Sequence, residues 1–433
     1  MSNGVLPQTR RSKVMDVVCV SSGNFLEMND FMVYGYYASA IGAAFFPAHN
    51  PITSLLASLA TYGVGFLMRP LGALVLGAYI DKHGRRAGLI LTLTLMAIGT
   101  ASVAFMPTYA QIGVFAPILI LLGRLIQGFS AGVELGGVSV YLSEIAPPDR
   151  KGFYVSWQSG SQQVAVIFAA SLGVILNQHL GHAQIQSWGW RVPLIIGCLI
   201  VPFMFYIRTS LAETEEFKKR THRASLGEIM RSVGENWRLI LLGMMMVVMT
   251  TVSFYLITAY TPSFGKQLKL SDMDGFLVTF CVGLSNLFWL PIMGALSDRV
   301  GRRPLLITFT VLAILTSWPV VSWLAAAPSF DRLLVVELWL SFIYASYNGA
   351  MVVYLTEIMP PDLRASGFSM AYSLATALGG FTPMICTWLV SRFANPGLPG
   401  LWMAAAAVCG LVAAILLKRP PRVPPKGVRV AGA

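Results

Sequence analysis

Twelve mostly apolar stretches follow one another along the 433 residues, at about 17–46, 52–80, 88–106, 111–143, 153–177, 190–208, 239–263, 274–296, 304–325, 332–356, 366–391 and 398–417. A helix that crosses a bilayer needs roughly 20 such residues. Only 12% of the chain is charged, against about 25% in soluble domains, and the mean hydropathy is +0.66. These features predict an all-α membrane protein with twelve transmembrane helices. Arg10, Arg11 and Lys13 precede the first apolar stretch, which has no small-residue cleavage site. It is therefore expected to stay as a transmembrane helix and not to be removed as a signal peptide.

The net charge of +12 does not point to nucleic acid, because the basic residues sit in short clusters between apolar runs and form no continuous basic face. With both termini placed in the cytoplasm, 24 of the 31 Lys and Arg residues fall on the cytoplasmic side. Five fall outside (Arg191, Lys266, Lys269, Arg332, Arg392), and Arg69 and Arg124 lie inside helices. The positive-inside bias sets that orientation. The five cysteines, Cys19, Cys198, Cys281, Cys386 and Cys409, all lie in apolar stretches and show no C-x-x-C spacing. Neither they nor the five histidines suggest a disulfide framework or a metal site. No nucleophile–base set or cofactor motif appears, so neither an enzyme nor a cofactor is expected.

The chain repeats itself. Gly77-Ala78-Tyr79-Ile80-Asp81-Lys82-His83-Gly84-Arg85-Arg86 returns 217 residues later, half the chain, as Gly294-Ala295-Leu296-Ser297-Asp298-Arg299-Val300-Gly301-Arg302-Arg303. Both copies read G-x-x-x-D-[KR]-x-G-R-R. A second pair, Tyr141-Leu142-Ser143-Glu144-Ile145-Ala146-Pro147-Pro148-Asp149 and Tyr354-Leu355-Thr356-Glu357-Ile358-Met359-Pro360-Pro361-Asp362, is offset by 213. The expected organisation is two pseudo-symmetric six-helix bundles, 1–208 and 239–433. A polar linker, 209–238, joins them; it is charged and partly helical, and lies at the membrane surface. Gly77 and Gly294 are expected to let helices approach closely. Asp81 and Asp298 can cap or bridge helix ends. Arg85, Arg86, Arg302 and Arg303 can pair with acids or lipid phosphates, with Glu144 and Glu357 as candidate partners.

Two parallel six-helix repeats are the architecture of the major facilitator superfamily, and both repeated motifs resemble that family's cytoplasmic loop signatures. In the family such loops are associated with closing the cytoplasmic side, so Asp81, Arg85, Arg86, Glu144, Asp298, Arg302, Arg303 and Glu357 are expected to form a cytoplasmic gate. At closer range, Ser22-Gly23-Asn24-Phe25-Leu26-Glu27, Gly65-Phe66-Leu67-Met68-Arg69-Pro70-Leu71-Gly72 and Gly189-Trp190-Arg191-Val192-Pro193 resemble the metabolite–proton symporter branch. Within that branch, the stretches 127–142, 156–165 and 348–352 are most similar to its citrate and tricarballylate transporters.

Charge within the membrane is costly and usually faces a cavity or a partner. On the first helix Asn24, Glu27, Asp30 and Tyr34 are spaced three, three and four apart, which puts them on one face. Arg69 lies on helix two. Arg124, Gln127 and Gly128 on helix four match the superfamily pattern R-x-x-Q-G. Arginine offers a bidentate fork to a carboxylate, so Arg69 and Arg124 are expected to hold a carboxylate substrate. Asn24, Tyr34, Gln127, Gln158, Gln162, Tyr347 and Asn348 would orient it, and Glu27, Asp30 or Glu134 would carry a proton. The second half shows polar residues near mid-helix, among them Thr250, Thr251, Tyr255 and Asn286, and no clear buried charge.

The resemblance implies proton-coupled uptake of citrate or tricarballylate by a monomer in a bacterial inner membrane. Sodium coupling, a zwitterion or osmolyte substrate, and a non-transporting nutrient sensor are the alternatives. The sensor is the weakest of these, because the chain after Lys418 is short and proline-rich.

Overall fold

The structure is a computed structural model that describes residues 24–209, 226–360 and 364–417. It is all-helical across the spans. The first, α1, comprises residues 24–36 and, after a turn at Tyr37, Ala38–Phe45. Then follow α2 (Pro51–Ile80), α3 (Arg86–Phe105), α4 (Phe115–Ile145), α5 (Lys151–His179) and α6 (Arg191–Tyr206). The second set is α7 (Trp237–Gln267), α8 (Asp272–Val300), α9 (Arg302–Ala326), α10 (Phe330–Ile358), α11 (Arg364–Phe393) and α12 (Leu398–Leu416). Ten of these are long and apolar enough to cross a membrane. α6 joins them when taken with His182–Gly189, from which it bends by 43°. Part of the expected linker, residues 210–225, lies outside the described residues; Leu226–Glu235 is a helix that packs on α2 and α11.

Local chemistry sets several helix ends. Asn50 accepts from the backbone N–H of Ile52 at 2.9 Å, with Pro51 at the first helical position, a favoured start. Ser271 and Asp274 form a capping box at α8, and Ser329 caps α10. The loop after α2 and the loop after α8 turn at Gly84 and Gly301, both with φ +100°, where a side chain would be strained. The repeated decapeptide thus folds the same way twice.

Helix pairing carries the same repeat. α2 packs on α4, α3 on α4 and α3 on α6; in the second half α8 packs on α10, α9 on α10 and α9 on α12. Between the halves, α5 lies along α8 and α2 along α11, which are symmetry-related contacts. One face of the molecule carries the two repeated loops and is called here the motif face; the opposite one is the far face. The bundles touch at both. Gly152 meets Gly294 at the motif face, while Gly173 packs on the ring of Phe276 and Gly35 on Ala259 toward the far face.

Gly294 and Gly77 differ despite their shared motif position. A Cβ at Gly294 would stand 2.5 Å from the carbonyl oxygen of Gly152 and 3.0 Å from the Ser156 side chain, whereas a Cβ at Gly77 would meet nothing within 4 Å. Close approach is therefore required in the second copy only, and the expectation for Gly77 is corrected. Gly294→Ala should destabilise the protein by roughly 1–3 kcal/mol, and Gly77→Ala by no more than about 0.5 kcal/mol, as read by thermal unfolding in detergent. Equal effects would contradict this packing.

Candidate functional site

The first-half charges meet at the centre of the amino-terminal bundle. Glu27 and Asp30 lie one turn apart on α1. Arg69 follows Tyr62 and Phe66 along one face of α2, and Arg124 projects from α4. The α2 and α4 backbones come so close that a Cβ at Gly128 would fall 1.6 Å from the carbonyl oxygen of Gly65, and this contact brings the two arginines together. Arg69 Nη2 donates to Glu27 Oε1 at 2.6 Å. Arg124 Nη1 donates to Gln127 Oε1 at 2.7 Å and lies 3.4 Å from Asp30 Oδ2. Gln127 Nε2 in turn donates to Asp30 Oδ2, in a short contact, and to Thr100 Oγ1 at 3.2 Å. Arg69 and Arg124 are 1% and 0% exposed, so these pairs stand in a dry interior where an unpaired charge would be very costly.

Phe31 joins the two pairs. The Arg69 and Arg124 guanidiniums lie 5.0 and 4.4 Å from its ring centroid. Arg69 also sits over Phe66 at 4.7 Å, and Arg124 over Tyr34 at 4.6 Å and Tyr62 at 5.4 Å. Desolvated cation–π contacts of this kind contribute up to about 2 kcal/mol each. Tyr255 of α7 packs on Tyr62 and Phe66 from the other bundle. Sequence reasoning missed Phe31, Tyr62 and Phe66. The available signal was the spacing of Tyr62, Phe66 and Arg69 at i, i+4 and i+7.

A narrow cavity opens beside Arg69 at the boundary between the bundles. Met28, Arg69 and Gln162 line it on one side, and Thr250, Thr251, Phe254, Tyr255, Tyr372 and Thr376 on the other. Its free space suits about one water molecule, so the bundles are closed around it. Of the donors that line it, Arg69 Nε is buried with no hydrogen-bond partner among the described residues. Arg124 Nε and Nη2 and Gln158 Nε2, which do not line the cavity, are likewise buried with no partner among the described residues. Buried donors are normally satisfied, so this surplus fits an acceptor-rich guest.

The remaining expected residues are scattered around this centre. The Tyr34 hydroxyl donates to the carbonyl of Ser58 at 3.4 Å, with its ring against Arg124. Asn24 is buried with neither amide atom partnered among the described residues. Gln158 Oε1 accepts from Ser159, whose hydroxyl also accepts from Asn348 Nδ2 at 2.8 Å across the bundle boundary. Tyr347 is placed elsewhere. Its hydroxyl donates to the Met246 carbonyl at 2.9 Å and abuts Gly410, so it packs α10 between α7 and α12, away from the cavity. The side chain of Glu134 lies outside the described residues. The second half, where no clear buried charge is expected, does hold a buried ionisable side chain: Glu337 of α10 is 2% exposed.

At the motif face the second copy forms a network. Arg302 Nη2 lies 2.7 Å from Asp298 Oδ1 and 3.2 Å from Glu357 Oε1, and its Nη1 donates to Ser297 at 2.8 Å. Asp298 also accepts from the backbone N–H groups of Gly152 at 2.8 Å and Phe153 at 3.1 Å. α5 has no capping side chain of its own, so its N-terminus is capped from the other bundle. Among the described residues, Arg303 pairs with no acid. It donates to the carbonyls of Ala414 at 2.9 Å and Ile415 at 2.8 Å, ending α12. In the first copy the side chains of Asp81 and Arg85 lie outside the described residues, while Arg86 and Glu144 are exposed.

Comparison with known proteins places this geometry. The sequence profile of the Major Facilitator Superfamily matches residues 20–382 and 277–432. The chain belongs to the Major Facilitator Superfamily. Among relatives in this family, it is 56% identical to the citrate-proton symporter of Klebsiella pneumoniae, over 94% of this chain and 92% of that protein. It is 55% identical to the citrate-proton symporter of Salmonella typhi, over 95% of each. The proline/betaine transporter of Escherichia coli K12 is 32% identical over 96% of this chain and 85% of its own length. Among solved structures, a D-xylose-proton symporter superposes with a TM-score of 0.74 at 19% identity, covering 94% of this chain and 98% of that one, which shows the shared fold. The protein is thus a multi-pass membrane transporter and not an enzyme.

Because Asp298 joins the bundles through a helix cap, Asp298→Asn should weaken the closed motif face by about 0.5–2 kcal/mol. The expected result is a changed transport rate with equilibrium substrate binding retained. Equal loss of both would remove Asp298 from a gating role.

Proposed function

We propose that this transporter imports citrate, or a closely related tricarboxylate, together with protons by alternating access. The observation that carries this reading is the 55–56% identity, across nearly the whole chain, with two citrate-proton symporters. The site chemistry supports it. Glu27 with Arg69 and Asp30 with Arg124 balance in charge when the cavity is empty. A guest with three carboxyl groups brings acceptors to the unused edges of both guanidiniums. Its negative charge has to be offset inside a dry site, and protonating Glu27 or Asp30 releases the paired arginine for the guest. Gln162 and the hydroxyls of Thr250, Tyr255 and Tyr372 supply further donors from both bundles, while the Thr251 and Thr376 hydroxyls donate to backbone carbonyls and can only accept. A guest held between the bundles can thus draw them together around itself.

The positive-inside bias supports a cytoplasmic motif face with both termini on that side. The closed Asp298–Arg302–Glu357 network then acts on the cytoplasmic gate. A bacterial inner membrane and a monomer complete the proposal.

In proteoliposomes an imposed inward proton gradient should drive citrate above its external concentration, with or without sodium. No accumulation, or accumulation that needs sodium, would overturn the reading. Arg124→Lys keeps the charge but loses the fork, so citrate affinity should fall by about tenfold or more, roughly 1.4 kcal/mol. Wild-type affinity in that variant would exclude Arg124 from the site.

A further inference from the structure

Glu337 is a buried acid that the reading above does not use. It lies seven residues into α10, about 10 Å from the far-face end at 1.5 Å per residue, and is 2% exposed. Its Oε1 is 3.1 Å from Thr261 Oγ1, and its Oε2 has no hydrogen-bond partner among the described residues. No arginine, lysine or histidine pairs with it among the described residues. The ionisable groups on its α7 side are Tyr260, whose hydroxyl donates to Gln267 at 2.7 Å, and behind it Cys386 of α11. On α8 the neutral Ser285 and Asn286 meet Ser341 one turn further along α10, and the thiol of Cys281 lies one turn before Ser285 on the same helix. Arg332, on the same helix, turns away to the carbonyl of Trp323 at 2.9 Å.

Hydrogen-bond geometry favours the neutral acid. Thr261 has one hydroxyl proton and two neighbouring acceptors, Glu337 Oε1 at 3.1 Å and the Leu256 carbonyl at 3.4 Å. With a carboxylate, one of these contacts lacks a hydrogen. With a carboxylic acid, Glu337 donates to Thr261 and Thr261 donates to Leu256, and both are satisfied. A carboxylate without a cation at this depth would also carry a large desolvation cost. One carboxyl and one hydroxyl provide too few oxygens for a metal cation, and no metal-binding cluster occurs among the described residues.

The position ties this acid to the moving parts. Leu256–Tyr260 is a π-helical turn within α7, a deviation often found at functional sites. Tyr255, just before it, lines the central cavity, and Ala259 within it packs on Gly35 of α1 in the opposite bundle. On the other side of Glu337, Ser341 donates to Asn286 at 2.8 Å, and Asn286 donates to Gln163 of α5 at 3.0 Å. The acid therefore stands between the α7 turn and a polar ladder, and both reach the bundle boundary.

We propose that Glu337 is a proton-binding site of the carboxy-terminal bundle, protonated while the bundles are closed and exchanging its proton during each transport cycle. This rests on the proton-coupled reading above and adds a site separate from Glu27 and Asp30. Loss of the proton places a charge against Thr261 and the π-helical turn, which favours opening of the contact between α7 and α1.

The test uses full-length protein in proteoliposomes with the membrane potential clamped. Under a gradient of about one pH unit, each coupled proton multiplies the citrate plateau by about tenfold. Glu337→Gln keeps the shape and the hydrogen bond to Thr261. It should lower the plateau by that factor while retaining citrate counterflow, which needs no net proton movement. Glu337→Asp should keep the plateau at a reduced rate. A wild-type plateau in Glu337→Gln would overturn the proposal. Infrared titration of the substrate-free protein gives a second readout, independent of the transported compound. A protonated carboxyl band should persist at neutral pH in the wild type, vanish in Glu337→Gln and shift in Glu337→Asp. No such band, or one unchanged in both variants, would overturn the proposal. Should the wild type fail to accumulate citrate, the substrate reading falls and the infrared result alone decides on Glu337. Should Glu337→Gln fail to fold, the Glu337→Asp band shift decides.

Discussion

Two guanidinium–carboxylate pairs sharing the ring of Phe31 hold the centre of this transporter. In water such pairs would contribute little. Here they are buried in a bundle surrounded by apolar surface, and removing one partner would leave a charge with no solvent to receive it. The pairs therefore hold α1, α2 and α4 together while the cavity is empty. Arg69 and Arg124 also keep donor edges with no partner among the described residues. Under the proposed function, stability of the empty state and affinity for an anionic guest would draw on the same four side chains, which would link occupancy to the arrangement of the bundle.

The two halves share a fold but divide the work. The amino-terminal bundle concentrates the charge. The carboxy-terminal bundle supplies hydroxyls, aromatic rings and the buried acid Glu337, which pairs with no cation among the described residues. At the motif face, Asp298 reaches across to cap α5, so a helix of one bundle begins on a carboxylate of the other. Gly294 and Gly152 make that approach sterically possible. Closure at that face is thus set by a cap and a backbone contact as well as by ion pairs. The repeated motif cannot be judged from one copy alone, because a Cβ at Gly77 would meet nothing within 4 Å among the described residues, where Gly294 is tightly packed.

Much of this was legible before any coordinates. Apolar runs of bilayer length, the clustered basic residues and the duplicated decapeptide are local patterns, and each has a direct physical reading. The cluster of Glu27, Asp30, Arg69 and Arg124 was legible because charge in a membrane is rare enough to stand out one residue at a time. The aromatic ring that joins these groups was not, since Phe31 looks like any other apolar residue in a span. Tyr347 shows the converse: a polar residue near mid-helix drew attention, yet its hydroxyl serves a backbone carbonyl of α7. Glu337 was overlooked because it lies near a helix end, where an acid in sequence could equally face water.

Sequence by itself determined the helices, their number and their pairing into two related halves, because hydrophobic length and repetition act along the chain. Tertiary structure alone decided which charge faces which, which glycine is crowded and which polar group is left unsatisfied. Those outcomes depend on distances of a few ångströms between residues far apart in sequence, such as 42 positions between Glu27 and Arg69 and 146 between Gly152 and Asp298. Electrostatic and steric energies change steeply over such distances, and no periodicity along the chain encodes them.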